Sequence, residues 1–310
     1  MTAPLALGID LGGTKIEARL LAPDGVERWR QRVPTPAGDY AGVIRAIAAL
    51  VDAAQAAAPG GFTIGIGTPG SATPAGLMKN SNSECLNGRP LQADLQAALR
   101  RPVRIENDAN CLALSEATDG AGADAEVVFA AIVGTGTGAG IAVHGRVLRG
   151  ANGIAGEWGH NPLPWSVPGQ DPLPQCYCGQ RGCIETLVSG PGLARDHQAA
   201  TGQALTAEAV AAAAAAGDAA AQQSLRRHAH RLARALASVI NVLDPDVIVL
   251  GGGISKLSHL YDEVPRLWGQ WIVAAGSAEP PRTQLLPALH GDASGVRGAA
   301  WLWRQTVIGP

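Results

Sequence analysis

Short apolar runs alternate along this chain with stretches whose apolar positions recur every three or four residues. Leu5–Ile9 reads as a buried strand. Lys15–Leu21 and 27–33 read as the next two, joined by a Pro-Asp-Gly turn at 23–25. Ile44, Ile47, Leu50 and Val51 give residues 40–57 a helical face. A strand at 63–67 runs into the turn Pro69-Gly70, a helix is predicted over 94–99, and a strand at 103–106 precedes a helix over 108–117 that Asp108 is placed to cap.

A second series begins near 126. The pattern predicts a strand at Val127–Val133, a glycine loop at 134–138, a strand over 140–144, a long helix over 219–243 ended by Asp244-Pro245, a strand at 247–250 and a last helix over 295–305. Both series read strand, glycine loop with threonine, strand. That repetition implies a duplicated α/β architecture with a cleft between the halves. Residues 150–183 have no clear period and are dense in proline from Pro162 to Pro174. A loop that long inside a domain needs something to staple it.

The staple is suggested by His160, Cys176, Cys178 and Cys183, since a Cys₃His set closes a tetrahedral zinc site with no position left for water. Unrelated buried thiols are the alternative. Five cysteines in 310 residues, an odd number, argue against a disulfide framework. A metal fixing His160 would also fix Glu157 and Glu185, and oriented carboxylates suit a polyol. Cys85 and Cys111 match no metal spacing.

Three glycine-rich turns follow buried strands: Asp10-Leu-Gly-Gly-Thr-Lys15, Gly134-Thr-Gly-Thr-Gly138 and Gly251-Gly252-Gly253. Curled backbone N–H groups make anion nests, and threonine hydroxyls add donors for phosphate oxygens; plain hairpin turns would read the same way. None is a P-loop. Asp10 ends its strand where a hydrated Mg²⁺ or an Asx turn would place it. Asp108 is open to two readings, general base or helix cap. Asn80, Ser81 and Asn82 form a polar loop or sugar contacts.

Composition narrows the classes. Net charge is −2 and pI about 6.4, with only 3 lysines against 21 arginines, so no basic footprint for nucleic acid exists. The N-terminus lacks a basic, then apolar, leader, and no apolar run approaches a membrane span. A cytoplasmic, reducing location is expected, with no membrane or nucleic-acid partner.

Taken in order, the first two glycine loops, Glu106-Asn-Asp-Ala-Asn110, Gly156-Glu-Trp-Gly-His160, Cys176-x-Cys-Gly-x-x-Gly-Cys183-x-Glu185 and Asp246-Val-Ile-Val-Leu-Gly-Gly-Gly253 resemble the ROK family (repressor, open reading frame, kinase) over most of the chain. The run Glu157–Trp165 and the stretch Lys79–Ser83 look most like its bacterial fructokinases of the manno(fructo)kinase type. The resemblance implies an actin-like ATPase (ribonuclease H-like) duplicated two-domain α/β fold with an interdomain cleft. It places 1–117 plus 294–310 in one domain and 118–293, with a zinc-stapled insertion at 150–185, in the other.

It further implies transfer of the ATP γ-phosphoryl group to the C6 hydroxyl of D-fructose, with glucose, mannose or N-acetylglucosamine as alternatives. Asp108 would be the general base. Asn82, Asn107, Asp108, Glu157, His160 and Glu185 would hold the sugar. Asp10, Gly12, Gly13, Thr14, Lys15, Gly134, Thr135, Gly136, Thr137, Gly251, Gly252 and Gly253 would hold ATP. Asp10 would bind Mg²⁺ through water, and His160, Cys176, Cys178 and Cys183 a structural Zn²⁺. His160 would give zinc one ring nitrogen and the sugar the other. The family's sugar-responsive repressors carry an added helix-turn-helix, for which the first strand at residue 5 leaves no room. A symmetric homodimer is the default assembly.

Overall fold

The computed structural model describes residues 4–273 and 279–304. Contacts divide the chain into two compact units. The first holds the residues up to Ala123, Gly140–Ala155 and those from Asp292 on; the second holds Asp124–Ala139 and Gly156–Gly291.

The first unit is built on a five-stranded sheet in the order β3-β2-β1-β4-β7, with β1 Leu5–Leu11, β2 Lys15–Leu21, β3 Glu27–Pro34, β4 Phe62–Thr68 and β7 Arg104–Asn107. β1, β2 and β3 form antiparallel hairpins, while β4 and β7 run parallel to their neighbours. A small ribbon pairs β5 (Ser71–Ala72) with β6 (Met78–Lys79). β1 is apolar almost throughout because both faces of the sheet are covered. On one face Leu7, Ile9, Ile16 and Ile66 pack with Val43, Ile47 and Leu50 of α1 (Tyr40–Ala57) and with Leu91 and Leu95 of α2 (Leu91–Leu99). α1 starts at Asp39, whose carboxylate accepts from Gly42 N–H at 2.9 Å. Among the described residues α1 is the one helix with the length and composition of a membrane span, and this apolar face is spent on the sheet.

On the other face lie α3 (Asp108–Asp119) and the last helix, Ser294–Trp301. That helix lies so close that a Cβ at Gly65 would come within 1.9 Å of Ala299 O. Residue 305 of the expected final helix lies outside the described residues.

The second sheet repeats the first position by position, in the order β10-β9-β8-β11-β12, with β8 Val127–Val133, β9 Thr137–Val143, β10 Arg146–Val147, β11 Val247–Gly251 and β12 Gln284–Pro287. β9 and β10 are antiparallel, and β11 runs parallel to β8 and β12. This is the duplicated actin-like fold. Helices α4 (Glu185–Val188), α5 (Gly190–Thr201), α6 (Ala207–Ala215), α7 (Ala219–Leu243) and α8 (Leu260–Trp268) complete the second unit, and α9 is Ser294–Trp301. The sequence reading put 118–293 in one domain; here Gly140–Ala155 packs with the first unit. Gly140 lies against α3, where a Cβ would meet Ala109 O at 2.2 Å. Arg149 bonds Glu106 at 2.5 Å, and the Lys79 ammonium bonds Asn152 O at 2.9 Å.

Candidate active site

In the first unit the chemistry gathers at the C-terminal ends of β1 and β7. The β1–β2 turn is closed by Gly12 N–H to Lys15 O at 3.0 Å, and the Thr35 hydroxyl donates to Gly12 O at 2.7 Å. Gly13 and Thr14 stand exposed at its tip. Asp10 lies at the base of this turn. Burial, then the charges of Asp108 and Glu17, push its carboxyl up to about 6, against the pull of Lys15. A carboxylate at that place fits Mg²⁺, which takes one or two carboxylates and keeps several waters.

The structure divides labour between Asn107 and Asp108. Asn107, not Asp108, is the N-cap of α3: its side-chain oxygen accepts from Ala109 N–H at 2.9 Å and Asn110 N–H at 3.3 Å, and its amide donates to Gly70 O at 3.0 Å. The capping position needs an extended backbone, which Asn107 has and Asp108, the first helical residue, lacks. Asp108 Oδ1 accepts from Ala109 N–H at 2.8 Å. The junction is braced by Glu106, a residue given no role from sequence. Its buried carboxylate accepts from Asn107 N–H and the Asn110 amide, both at 3.0 Å, and from Arg149.

In the second unit the segment 156–160 runs along the start of β9. Gly156 O accepts from Ala139 N–H at 3.0 Å, and Gly159 must be glycine because a Cβ would sit 1.9 Å from Thr137 O. Trp158 anchors the segment edge-on against Phe129, with ring centroids 5.5 Å apart. Glu157 and His160 are thereby held beside the second glycine hairpin. Glu185, at the start of α4, is tied to the same hairpin: its Oε2 accepts from Thr137 N–H at 2.8 Å. Sugar-side and nucleotide-side candidates thus share one carboxylate. Gly134 also lies 3.7 Å, from a built Cβ, to Gly253 N, so the second and third glycine loops meet. With Pro191, Ala207, Ile254 and Lys256 they line a pocket of about 700 Å³.

His160, Cys176, Cys178 and Cys183 converge, their ligand atoms all within 4.8 Å of one another. His160 Nδ1 lies 3.5 Å from Cys176 Sγ, and Cys178 Sγ lies 3.6 Å from Cys183 Sγ. Zn–S bonds of about 2.3 Å set a tetrahedral sulfur–sulfur edge near 3.8 Å, so the donors fit zinc. Burial, then hydrogen bonds with the other two thiols, pushes Cys183 up to about 12, whereas the Gln180 backbone lowers Cys178. The nitrogen left over, His160 Nε2, lies 2.9 Å from the Tyr177 hydroxyl and 4.0 Å from Glu157. Tyr177 was not anticipated; its place between two ligand cysteines was the available signal.

A second staple holds this loop. Asp171 accepts from Arg231 Nε at 3.0 Å and from both Arg234 terminal nitrogens at 2.8 and 3.0 Å, all these side chains being at most 4% exposed. Arg234 also donates to Trp165 O at 2.7 Å. These ion pairs brace the loop independently of any metal, where the sequence led to the expectation of zinc alone.

A model of the ROK family matches residues 6–306. An N-acetyl-D-glucosamine kinase of Pectobacterium atrosepticum is 39% identical over 300 residues, covering 95% of this chain and 97% of its own. The crystal structure of a ROK hexokinase from Thermus thermophilus is 34% identical with a TM-score of 0.83, covering 96% of each chain. A ROK family glucokinase from Streptomyces griseus, solved with glucose and AMPPNP, is 30% identical with a TM-score of 0.76, covering 96% of this chain and 98% of its own. The chain belongs to the ROK family, and it is a sugar kinase.

Proposed function

We propose that this protein is an ATP-dependent kinase that phosphorylates the C6 hydroxyl of N-acetyl-D-glucosamine. The observation that carries the reading is the relative named N-acetyl-D-glucosamine kinase at 39% identity across nearly the full length of both chains, joined by further relatives of the same name at 38%. The fructose reading rested on two short stretches, Glu157–Trp165 and Lys79–Ser83, and full-length similarity outweighs them. Asp108 is the general base: it takes the C6 hydroxyl proton as that oxygen bonds to the γ-phosphorus and ADP leaves. Asn82, Asn107, Glu157, His160 and Glu185 hold the sugar.

The turns at Gly12–Lys15 and Gly134–Thr137 hold the phosphates through backbone N–H groups, and Gly251–Gly253 border the adenosine in the 700 Å³ pocket. Asp10 holds Mg²⁺ through water, and the ion neutralises phosphate charge when bound. His160, Cys176, Cys178 and Cys183 hold a structural Zn²⁺ that fixes the imidazole. The two compact units act as the two domains of a cytoplasmic homodimeric enzyme.

The test is ADP release over a hexose panel. N-acetyl-D-glucosamine should show the highest kcat/KM; a preference for fructose or glucose would refute the substrate. Asp108→Asn should lower kcat by about 10²–10⁴-fold with sugar binding retained. Activity within a few-fold of wild type would remove Asp108 from the base role.

A further inference from the structure

Two hydrogen bonds hold the second glycine hairpin from behind, one at each end. Glu185 Oε2 accepts from Thr137 N–H at 2.8 Å, and Gly190 N–H donates to Gly134 O at 2.8 Å. The approach is close at both points: a Cβ at Gly136 would sit 2.7 Å from Glu185 Oε2, and one at Gly190 would sit 3.3 Å from Gly134 O. Glu185 and Gly190 belong to one short stretch, the single turn of α4 and its junction with α5. So short a helix cannot hold its own place, and the junction has to be set from elsewhere.

α7 sets it. Arg227 and Arg231 bond Asp196 of α5 at 2.7 and 2.6 Å, and Arg195 of α5 donates to Thr186 O of α4 at 2.8 Å. Between the two α7 arginines stands His228, 1% exposed, with Nε2 2.7 Å from the carbonyl oxygen of Val188, the last residue of α4. A carbonyl at a helix end has no donor within the helix, and the imidazole supplies one. Burial outweighs the pull of that carbonyl and holds His228 down at about 4, so the ring is neutral. Its one proton is then on Nε2, and Nδ1 finds no partner among the described residues. An apolar side chain would fill this place without leaving a nitrogen unbonded; what the histidine adds is the donor to Val188.

We propose that His228 is a positioning residue for phosphoryl transfer: through Val188 O it sets the α4–α5 junction, and the junction sets both ends of the hairpin at 134–137. The inference rests on the proposed role of that hairpin in holding the phosphates.

Three substitutions separate this role from plain packing. His228→Leu removes the donor, His228→Asn keeps an amide that stops short at the place of Nδ1, and His228→Gln carries its amide nitrogen to the place of Nε2. Each would be measured for thermal midpoint, for ADP affinity by calorimetry, and for kcat and KM over varied ATP at saturating N-acetylglucosamine, or glucose should that sugar be inert. As folded proteins, His228→Leu and His228→Asn should lose about tenfold or more in kcat/KM for ATP, since small misplacements near reacting groups are costly in rate, while His228→Gln stays within about threefold of wild type.

A purely structural histidine would lower the midpoint in all three and leave the ATP constants of the folded protein alone. That result would overturn the proposal, as would equal kinetic losses in all three. If His228→Leu does not fold, the contrast between His228→Asn and His228→Gln decides by the same criteria. Wild type that binds no ADP would overturn the role of the hairpin itself, and the proposal with it.

Discussion

Asp171→Asn tests the second staple directly. The substitution keeps the shape and removes the charge that two buried guanidinium groups share. Removing one partner of a buried ion pair costs about 3–5 kcal/mol. Arg231 keeps Asp196 at 2.6 Å, while Arg234 is left, among the described residues, with the Trp165 carbonyl, so one cation loses its carboxylate rather than two. That places the cost near the low end, about 3 kcal/mol, or a midpoint roughly 6–12 °C lower for a unit of this size.

The pH dependence supplies a second check. Burial alone would raise the Asp171 carboxyl, but Arg234, the Val167 N–H and Arg231 outweigh it and hold it at about 2, against an ordinary 3.8. Its contribution is present above about pH 4 and is lost as pH falls through 2, so about 1 kcal/mol of the gap between wild type and variant closes between pH 5 and 3. Differential scanning calorimetry at both pH values reads this. Midpoints within 2 °C at pH 7, or a gap that does not narrow on acidification, would refute the argument (on the ~2–4 °C per kcal/mol scale).

Metal analysis should find about one zinc per chain, and chelation should raise the sugar KM and open 173–183 to proteolysis while the Asp171-braced 165–171 stays resistant. Unchanged KM in zinc-free protein would contradict the coupling. Glu185→Ala should raise KM for both sugar and ATP, because the carboxylate also holds Thr137 N–H; a change confined to the sugar would show that link to be incidental.

The fold was legible wherever periodicity was strong. The long helix was read at its true limits, Ala219–Leu243, because Leu232, Leu236 and Ile240 mark its buried side and Asp218 and Asp244 its ends. The two-residue strands of the small ribbon and β10 were missed, since so short a segment has no period to read. The helix at Leu260–Trp268 was missed too; Pro265 within it reads as a breaker. At the site, the convergence of His160, Cys176, Cys178 and Cys183 and the glycine turns were legible because donor chemistry and backbone freedom restrict residue type. The cap was put on Asp108 when Asn107 provides it, since both residue types cap helices and only backbone conformation tells which one does.

The second staple shows why charge on a helix misleads a sequence reading. Arg231 and Arg234 lie three apart on α7 and would ordinarily mark its solvent side, yet both are buried. Their partners, Asp171 and Asp196, come from the proline-dense loop and from α5, more than thirty residues away. No local pattern encodes that pairing. It follows that a loop without periodicity can be fixed by two chemically independent devices. His160, Cys176, Cys178 and Cys183 gather the two flanks of the loop, and the ion pairs hold its middle at 165–171. A metal bound by the flanking set should then, on removal, loosen 173–185 while 165–171 keeps its place.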